Sequence, residues 1–412
     1  MTTEERLNLI KQVGEEIVQE DELLKLLESG EQLIAYDGFE PSGQIHIAQG
    51  ILKAINVNKM TKAGIKFRMW VADWHALANN KLGGDLEKIK TTGKYFIEVW
   101  KASGMDLSKV EFLWASDMVK NPDYWKLVIQ VGRTNLLRRF IRTAEMMGRQ
   151  ESLDNLTGAN IIYSCMQVAD IFMLGAKITQ LGMDQRKLNM LAREIGPQLG
   201  FWKPVVVSHH MLMGLNKPQY QISNMKNERA KDADSSHMSR VAAKSMDNTK
   251  PTSLMHVRED ISERKELAKL NNKISRTIAL KMSKSLPDSA IFMTDTTEDI
   301  KRKISKAYCP EGVVEENPVL EYYKYILFES LERLGLQNIV VERPAKFGGP
   351  VILNSYENLE RLFKEKQIHP LDIKQKAIEF LDKLLEPVRK HFEEDSYAKD
   401  LLQKVKSYQV TR

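Results

Sequence analysis

The sequence predicts an α/β fold: a parallel β-sheet covered by helices, followed by a helical carboxyl-terminal region. In the first half of the chain, short runs that are apolar throughout alternate with amphipathic helical patterns. Such continuous runs are typical of strands buried on both faces of a parallel sheet. The runs are residues 32–38, 65–73 and 110–115. From about residue 297 only helical spacing is left, in 320–334, 356–366 and 371–392.

The remaining elements follow from the same spacing. Residues 4–27 carry apolar side chains at helical intervals and predict one amphipathic helix, within a helical extension over residues 1–30. We expect further helices at 46–62, 86–102, 125–147, 159–174 and 185–194, and short strands at 176–181 and 204–208. The chain then divides into the extension at 1–30, an α/β domain at 31–296 and a helical domain at 297–412.

Composition excludes several classes of protein. Hydrophobic residues make up 42% of the 412 residues and charged residues 28%, as in globular proteins. No apolar run of about 18 residues is present to predict a membrane span, and residues 1–6 resemble neither a secretory nor a transit signal. The two cysteines, Cys165 and Cys309, exclude a disulfide scaffold or a cysteine zinc site and favour the reducing cytoplasm. A net charge of +6 permits a nucleic acid partner without requiring one.

Residues 216–276 differ in composition from the rest of the chain. They contain 13 Lys or Arg, 8 Asp or Glu and a single aromatic residue, Tyr220. We interpret this segment as a basic insertion in the α/β domain, part helical around 261–270. It is either a solvated surface loop or an element that contacts RNA.

The first candidate site lies where the first predicted strand turns into a helix, over residues 36–50. Ligands of parallel sheets bind beyond the carboxyl ends of strands, and helix amino termini favour phosphate. Glycines in the turn let the backbone approach a ligand. His46, at the start of the predicted helix, could donate a hydrogen bond to a phosphate oxygen or could simply lie on the surface.

The second candidate is the segment Lys281-Met-Ser-Lys284-Ser285. Two ammonium groups three residues apart on a loop can neutralise the charge that develops on a departing pyrophosphate. A basic surface loop is the alternative.

The third candidate is a polar stripe on an apolar helix. Tyr163, Gln167 and Asp170 are spaced at i, i+4 and i+7, so they share one helix face. Polar side chains on an otherwise apolar helix need partners from the protein, water or a ligand. They form either an internal network or a binding site.

These motifs together resemble the class I aminoacyl-tRNA synthetases. His46-Ile-Ala-Gln49 is similar to the family's His-Ile-Gly-His signature, and 281–285 matches its Lys-Met-Ser-Lys-Ser signature at every position. The polar stripe, with Gly182-Met-Asp184-Gln185, resembles the tyrosine pocket of tyrosyl-tRNA synthetases of the archaeal and eukaryotic cytosolic type. Three further segments are similar to the family's anticodon-binding domain: Lys346-Phe-Gly-Gly349, Asn354-Ser-Tyr356 and His369-Pro370.

The resemblance covers nearly the whole chain apart from the insertion. It implies a Rossmann-like catalytic domain and a helical anticodon-binding domain. It also implies a ligase that activates L-tyrosine with ATP and transfers it to the 3′ end of tRNA(Tyr), with Mg²⁺ held through the ATP phosphates. A cytoplasmic homodimer without membrane contact is expected, with an interface near 128–141, where Leu136, Leu137, Phe140 and Ile141 offer apolar surface.

The family also implies a role for each candidate residue. Tyr36 and Asp170 would bracket the substrate phenol hydroxyl, and the ammonium group would be held by Tyr163, Gln167 and Gln185. Gly38 and Gly43 would allow close approach of the adenylate, and Asp184 would reach the ribose. The ATP phosphates and the departing pyrophosphate would meet His46, Gln49, Lys281, Ser283 and Lys284.

The chain departs from the family pattern at three positions. Gln49 replaces the second histidine and cannot carry charge, so more of the phosphate charge falls on Lys281 and Lys284. Ala48 replaces a glycine and adds a methyl group near the adenine. Pro350 stands where relatives can place a side chain that pairs with an anticodon base. Base readout is then expected from aromatic residues, by stacking: Tyr322, Tyr325, Phe328 or Phe347.

Three other functions compete with tyrosine activation. A tryptophan enzyme has a similar fold, but the donor–acceptor pair of Tyr36 and Asp170 suits a hydroxyl and would be left unpaired by an analogue without one. A synthetase-like RNA binder without catalysis is disfavoured by the intact lysine motif. A different nucleotidyl transferase on the same scaffold is the third, because fold alone does not fix function.

Overall fold

The computed structural model describes residues 1–146, 157–218, 269–284 and 286–408. It divides into two compact units, one formed by Met1–Asn216 with Thr277–Arg412 and the other by Lys217–Arg276. The second unit spans nearly the same residues as the predicted insertion, and its described part is residues 217, 218 and 269–276, the last of these helical. Most of the helix expected around 261–270 lies outside the described residues. The domain boundaries at 30 and 297 stay predictions.

A six-stranded sheet forms the centre of the first unit, in the order β1-β6-β5-β2-β3-β4. All neighbouring strands are parallel except β1 and β6, which are antiparallel. From β2 the chain moves outward through β3 and β4, then returns to the other side of β2 for β5 and β6. The crevice at such a reversal of strand order is where open α/β sheets bind ligands. The strands are β1 (Gly14–Val18), β2 (Ile34–Phe39), β3 (Lys66–Val71), β4 (Val110–Trp114), β5 (Ile178–Thr179) and β6 (Val205–His209).

Helices cover the sheet and form the carboxyl-terminal part. Those of the α/β part are α1 (Thr3–Lys11), α2 (Glu20–Glu28), α3 (Ile51–Lys62), α4 (Asp73–Ala78), α5 (Leu86–Ala102), α6 (Ala115–Met118), α7 (Pro122–Thr134), α8 (Leu137–Met146), α9 (Gly158–Met173) and α10 (Arg186–Ile195). Those that follow are α11 (Thr297–Lys306), α12 (Pro318–Tyr322), α13 (Tyr356–Lys364), α14 (Pro370–Glu394) and α15 (Ser396–Ser407).

The prediction of one helix over residues 4–27 is wrong. Two helices, α1 and α2, flank the strand β1, which pairs with β6 at the edge of the sheet. Gly14 disfavours a helix, and Gln19, with φ of 67°, breaks the chain direction before α2. The apolar side chains counted toward one helix belong to three elements, and one of them, β1, is a strand of the sheet.

Two other helices begin or break where the sequence did not predict it. The predicted helix 46–62 starts only at Ile51, because residues 46–50 form a turn that places His46 beside Phe292. The predicted helix 125–147 is two helices, since Asn135 is extended, with φ of −137° and ψ of 155°. His46 is therefore not at a helix amino terminus, and its contact with phosphate cannot rest on a helix dipole.

The carboxyl-terminal part is mainly helical, as expected, with two additions. A short antiparallel pair, β7 (Ile339–Val341) and β8 (Val351–Leu353), brackets the Gly348–Gly349 turn. The predicted helix 320–334 is α12 followed by a π-helical turn at Tyr323–Leu327 and a 3₁₀ turn at Phe328–Ser330. Buried side chains of this part, such as Tyr322 and Ile326, join the core of the sheet domain.

Residues on both sides of the lysine motif are hydrogen-bonded into the sheet domain. After the motif, Ile47 N–H donates to Ile291 O at 2.8 Å and Met293 N–H donates to Ile45 O at 2.9 Å. A Cβ on Gly50 would lie 2.2 Å from Met293 Sδ, so only glycine permits this approach. Before the motif, Gly214 N–H donates to Leu280 O at 2.9 Å. These contacts bring the two sequence motifs to one crevice.

Candidate active site

A cavity of about 340 Å³ opens at the carboxyl ends of β2 and β5. Its wall combines the turn after β2, the start of α3, α9, and segments near residues 182–185, 209–212 and 281–282. Eight of the predicted site residues line it: Gly38, His46, Gln49, Tyr163, Gln167, Asp184, Gln185 and Lys281. Segments more than 200 residues apart in the chain therefore share one wall, as the motifs predicted.

Asp170 lies beneath one end of this cavity, 1% exposed, and is surrounded by donors. Trp70 Nε1 donates to its Oδ2 at 3.1 Å, and the Tyr124 hydroxyl donates to its Oδ1 at 2.9 Å. His75 Nε2 lies 3.0 Å from Oδ2. Burial lowers the pKa of His75, but the Asp170 carboxylate outweighs it and raises that pKa above its usual value. A buried carboxylate needs such partners, because removing one would cost about 1–3 kcal/mol.

Tyr36, on β2, is the second residue beneath this end of the cavity. Its ring is 1% exposed, and its hydroxyl makes no hydrogen bond of normal geometry with the described residues, although Gln167 lies beside it. Burial and the nearby Asp170 carboxylate raise the pKa of Tyr36 well above its usual value, so the hydroxyl keeps its proton. A buried hydroxyl without a partner is costly unless a ligand supplies one.

Polar side chains of α9 continue this region into the cavity wall. Tyr163 donates from its hydroxyl to Glu40 Oε1 at 2.7 Å, and its ring meets His75 edge to face at 4.9 Å. Gln167 Nε2 donates to Gln185 Oε1 at 3.1 Å, and its own Oε1 is buried with no partner among the described residues. The wall thus offers acceptor oxygens and the Glu40 carboxylate, a suitable environment for an ammonium group.

The opposite side of the cavity carries His46 and Gln49, both neutral. Burial, together with the charges of Lys284 and Lys281, lowers the pKa of His46 to about 3. His46 Nδ1 and Gln49 Oε1 are buried without partners among the described residues. Neutral side chains can hydrogen-bond phosphate but cannot balance its charge, so the lysines must do so.

Each of the two motif lysines is docked on a different group. Lys281 Nζ lies 3.0 Å from Asp184 Oδ2. Lys284 Nζ donates to Ser42 Oγ at 3.3 Å and lies 4.7 Å from the centre of the Phe96 ring. Burial, with repulsion from Lys81, lowers the pKa of Lys284 to about 7.

Five predicted site residues are not among those lining the cavity: Tyr36, Gly43, Asp170, Ser283 and Lys284.

A buried network that the sequence analysis missed forms the floor between the two sides. Asp37 accepts a hydrogen bond from Gly38 N–H at 2.8 Å and pairs with Lys53. Lys53 Nζ also donates to Gln180 Oε1 at 2.8 Å, and Gln180 in turn contacts His209 Nδ1 at 2.8 Å. Burial raises the pKa of Asp37 to about 6, although Lys53 opposes it. The sequence signal for this network was Lys53, a lysine on the buried side of the helix that follows the first motif.

The donors around Asp170 were also missed. Trp70 and His75 lie within six residues of each other at the end of β3, and Tyr124 lies on α7. For Trp70 and His75 a usable signal was present in the sequence, because both are aromatic residues with a polar ring atom close to the carboxyl end of a strand.

In the described part of the chain, no three His, Cys, Asp or Glu side chains come together to hold a metal ion. Among the same residues, none of the helices is both long and apolar enough to span a bilayer.

Comparison with known proteins is consistent with this geometry. The family model of class I tRNA synthetases (W and Y) matches residues 28–230 and 270–386. Tyrosine--tRNA ligase 1, cytoplasmic, from Arabidopsis thaliana is 43% identical over 99% of this chain and 90% of its own length.

Solved structures of tyrosyl-tRNA synthetases match almost the entire chain. That from Pyrococcus horikoshii, complexed with L-tyrosine, is 36% identical with a TM-score of 0.79, covering 98% of this chain and 100% of its own. That from Leishmania major, in complex with tyrosinol, is 40% identical with a TM-score of 0.79, covering 99% of this chain and 61% of its own. The family model includes tryptophan enzymes, but the full-length curated relatives, at 37–43% identity, are tyrosine--tRNA ligases. The chain therefore belongs to the class I tRNA synthetases and, among them, to the tyrosine–tRNA ligases.

Proposed function

We propose that the cavity activates tyrosine at its Asp170 end and binds ATP at its His46 end. The observation that carries this assignment is the pair beneath the cavity: a fully buried carboxylate, Asp170, next to the unpartnered hydroxyl of Tyr36. A phenol hydroxyl can donate to the first and accept from the second. Phenylalanine offers no polar group here, and the indole of tryptophan has a donor but no acceptor. Either substrate would leave the buried Tyr36 hydroxyl without a partner, a loss that a site built for a hydroxyl turns into discrimination.

The substrate's α-ammonium group would lie nearer the cavity mouth. Gln167 Oε1 offers an acceptor, and the Glu40 carboxylate, which accepts from the Tyr163 hydroxyl, adds negative charge on the same side. Gln185 orients Gln167 through their hydrogen bond of 3.1 Å. This arrangement fixes the carboxylate of tyrosine toward the neutral side of the cavity, where the ATP α-phosphate would lie.

The reaction then needs positioning and charge stabilisation rather than a protein nucleophile. The tyrosine carboxylate attacks the α-phosphate in line, forming tyrosyl-adenylate and releasing pyrophosphate. His46 and Gln49 would hydrogen-bond the phosphates, and Lys281 and Lys284 would balance the charge on the leaving group. Asp184, paired with Lys281 at 3.0 Å, would exchange that lysine for a ribose hydroxyl. Mg²⁺ would arrive with ATP, bound through its phosphates.

In the second step a terminal hydroxyl of tRNA(Tyr) attacks the adenylate carbonyl, which forms the tyrosyl ester, breaks the bond between the carbonyl carbon and the phosphate oxygen, and releases AMP. The carboxyl-terminal part would bind the anticodon. Of the four aromatic candidates there, Tyr322 is wrong as a stacking residue, because it is fully buried and its hydroxyl donates to Met213 O at 3.2 Å. Tyr325 is already stacked on His210. Phe347, 61% exposed with Lys346 Nζ 5.0 Å from its ring centre, is the best supported.

We further propose that two copies of the chain associate through α7, α8 and α9. Apolar side chains are exposed on these mutually packed helices: Ile129, Leu136, Leu137 and Ile162. Clustered exposed apolar residues mark interaction surfaces. The expectation that Phe140 contributes is wrong, because it is 2% exposed and packs inside the domain.

Since the relative from Arabidopsis thaliana is named as cytoplasmic, we propose the same compartment for this chain.

Substituting Tyr36→Phe should weaken tyrosine recognition without destabilising the fold. Among the described residues the hydroxyl makes no hydrogen bond of normal geometry that could be lost, so the melting temperature should stay the same or rise. Loss of one neutral hydrogen bond to the substrate should lower kcat/KM for tyrosine about threefold to tenfold in ATP–pyrophosphate exchange. Tyr95→Phe is the matched control, because its hydroxyl is likewise buried with no hydrogen bond of normal geometry in the described part of the chain, and Tyr95 is not among the residues that line the cavity. Equal losses in both variants would contradict the assignment.

Lys284 should give the ATP reaction a pH dependence near neutrality. The charged form binds phosphate, and its pKa in the ligand-free protein is about 7. We therefore expect kcat/KM for ATP to be highest below pH 7 and to fall as pH rises through that value. Lys284→Arg keeps its charge and should lose this fall, whereas Lys284→Ala should be slower than wild type by roughly 100-fold below pH 7, with the difference shrinking as the pH rises and wild type loses its charge. Parallel profiles for wild type and Lys284→Arg would exclude Lys284 as the titrating group.

Replacing both Leu136 and Leu137 by glutamate should convert a dimer into a monomer. Their side chains are 65% and 60% exposed, so the change should leave each subunit folded. Sedimentation velocity at micromolar concentration measures the association. Leu371→Glu is the control, since Leu371 is also 65% exposed but lies on α14. A monomeric wild-type chain, or a double variant that still dimerises, would refute this interface.

A further inference from the structure

One segment of the chain touches both the lysine motif and the carboxyl-terminal part. Residues 209–215, which we term the strap, follow β6 and run along the cavity. On one side Met282 N–H donates to Leu212 O at 2.9 Å, Gly214 N–H donates to Leu280 O at 2.9 Å, and Met213 bridges to Lys281. The backbone register of Lys281 is therefore set by the strap.

On its other side the strap is held by α12. Glu321 Oε2 accepts from Met213 N–H at 2.9 Å, and the Tyr322 hydroxyl donates to Met213 O at 3.2 Å. Both polar groups of the Met213 backbone are thus engaged by neighbouring residues of one helix. Met213 also forms an antiparallel β-bridge with Lys281, so the backbone of this one residue contacts both α12 and the lysine motif.

A charged cluster fastens this contact. His210, in the strap, has Nδ1 3.1 Å from Glu15 Oε2 and Nε2 3.2 Å from Glu321 Oε2. Its ring stacks on Tyr325 at 4.2 Å with an interplanar angle of 11°. Burial opposes the charge, but the two carboxylates prevail and raise the pKa of His210 to about 9, so it is a cation at neutral pH. The three side chains are 15–19% exposed, shielded enough for the attraction to matter.

We propose that Glu321 is a positioning residue for adenylate formation, acting through the strap on Lys281. The proposal rests on the function proposed for Lys281. Glu321 lies in the carboxyl-terminal part, about 100 residues beyond the strap in sequence, and it is not among the residues that line the cavity. It fixes the position of Met213 by accepting its N–H and by holding His210. In this way the part of the chain assigned to tRNA sets the position of a phosphate-binding lysine.

The test compares Glu321→Gln with a matched control, Glu329→Gln. Glu329 pairs with Lys59 of α3 at 2.6 Å, so it also joins the carboxyl-terminal part to the α/β part, through an ion pair that does not involve the strap. We expect Glu321→Gln to lower the rate of tyrosyl-adenylate formation about fivefold to tenfold, with KM for tyrosine unchanged. Glu329→Gln should stay near the wild-type rate. Active-site titration and melting temperature correct each rate for the folded fraction.

Action through Lys281 is tested by a double-mutant cycle. In a Lys281→Ala background, Glu321→Gln should cause no further loss, because the group it positions is gone. If Glu321→Gln proves unstable, Tyr322→Phe carries the test, since it removes only the hydroxyl bonded to Met213 O. Losses that add to that of Lys281→Ala, a raised KM for tyrosine, or equal rates for Glu321→Gln and Glu329→Gln would overturn the proposal. Should Lys281→Ala itself leave adenylation unchanged, the proposed function of Lys281 fails instead.

Discussion

The buried carboxylate of Asp170 is the constraint on which the rest of the site depends. A charge that is 1% exposed is stable only when donors surround it, and Trp70, Tyr124 and His75 occupy that role from β3, α4 and α7. Those donors fix α9 against the sheet and thereby set the direction of Tyr163 and Gln167 toward the cavity. Burial, together with this carboxylate, raises the pKa of Tyr36 and keeps its hydroxyl protonated. One interaction thus organises the region of the cavity proposed to select the amino acid.

The opposite end of the cavity is organised by charge balance. His46 and Gln49 are neutral, and Asp37 and Lys53 neutralise each other in the floor. The positive charge available to a triphosphate is therefore carried by Lys281, Lys284 and Lys81. Two of these lysines are already docked, Lys281 on Asp184 and Lys284 on Ser42 and the Phe96 ring. ATP would replace those contacts with stronger ones, so the placement of the lysine motif by the strap matters for the rate.

The sequence predicted what is encoded locally and missed what depends on distant contacts. The parallel strands, α5 and α9 agree with the predictions within about two residues, because apolar runs and helical spacing are local signals. The helix predicted over 4–27 failed because β1 forms only by pairing with β6, nearly 200 residues away. In the site, the signature residues gather at one cavity, whereas Trp70, Tyr124 and Lys53 were missed. Their roles arise from partners on other elements, and the local signals, such as a lysine after the first motif or an aromatic residue at a strand end, do not reveal those partners.

The most direct test of the account is the amino acid specificity of the unmodified chain. ATP–pyrophosphate exchange should be measured with saturating tyrosine, phenylalanine and tryptophan in turn. If Asp170 and Tyr36 are matched to a phenol hydroxyl, tyrosine alone should support exchange, and the other two should give the rate seen without amino acid. Exchange with phenylalanine or tryptophan at a rate comparable to that with tyrosine would contradict the account, because leaving the buried Tyr36 hydroxyl without a partner would then carry no penalty.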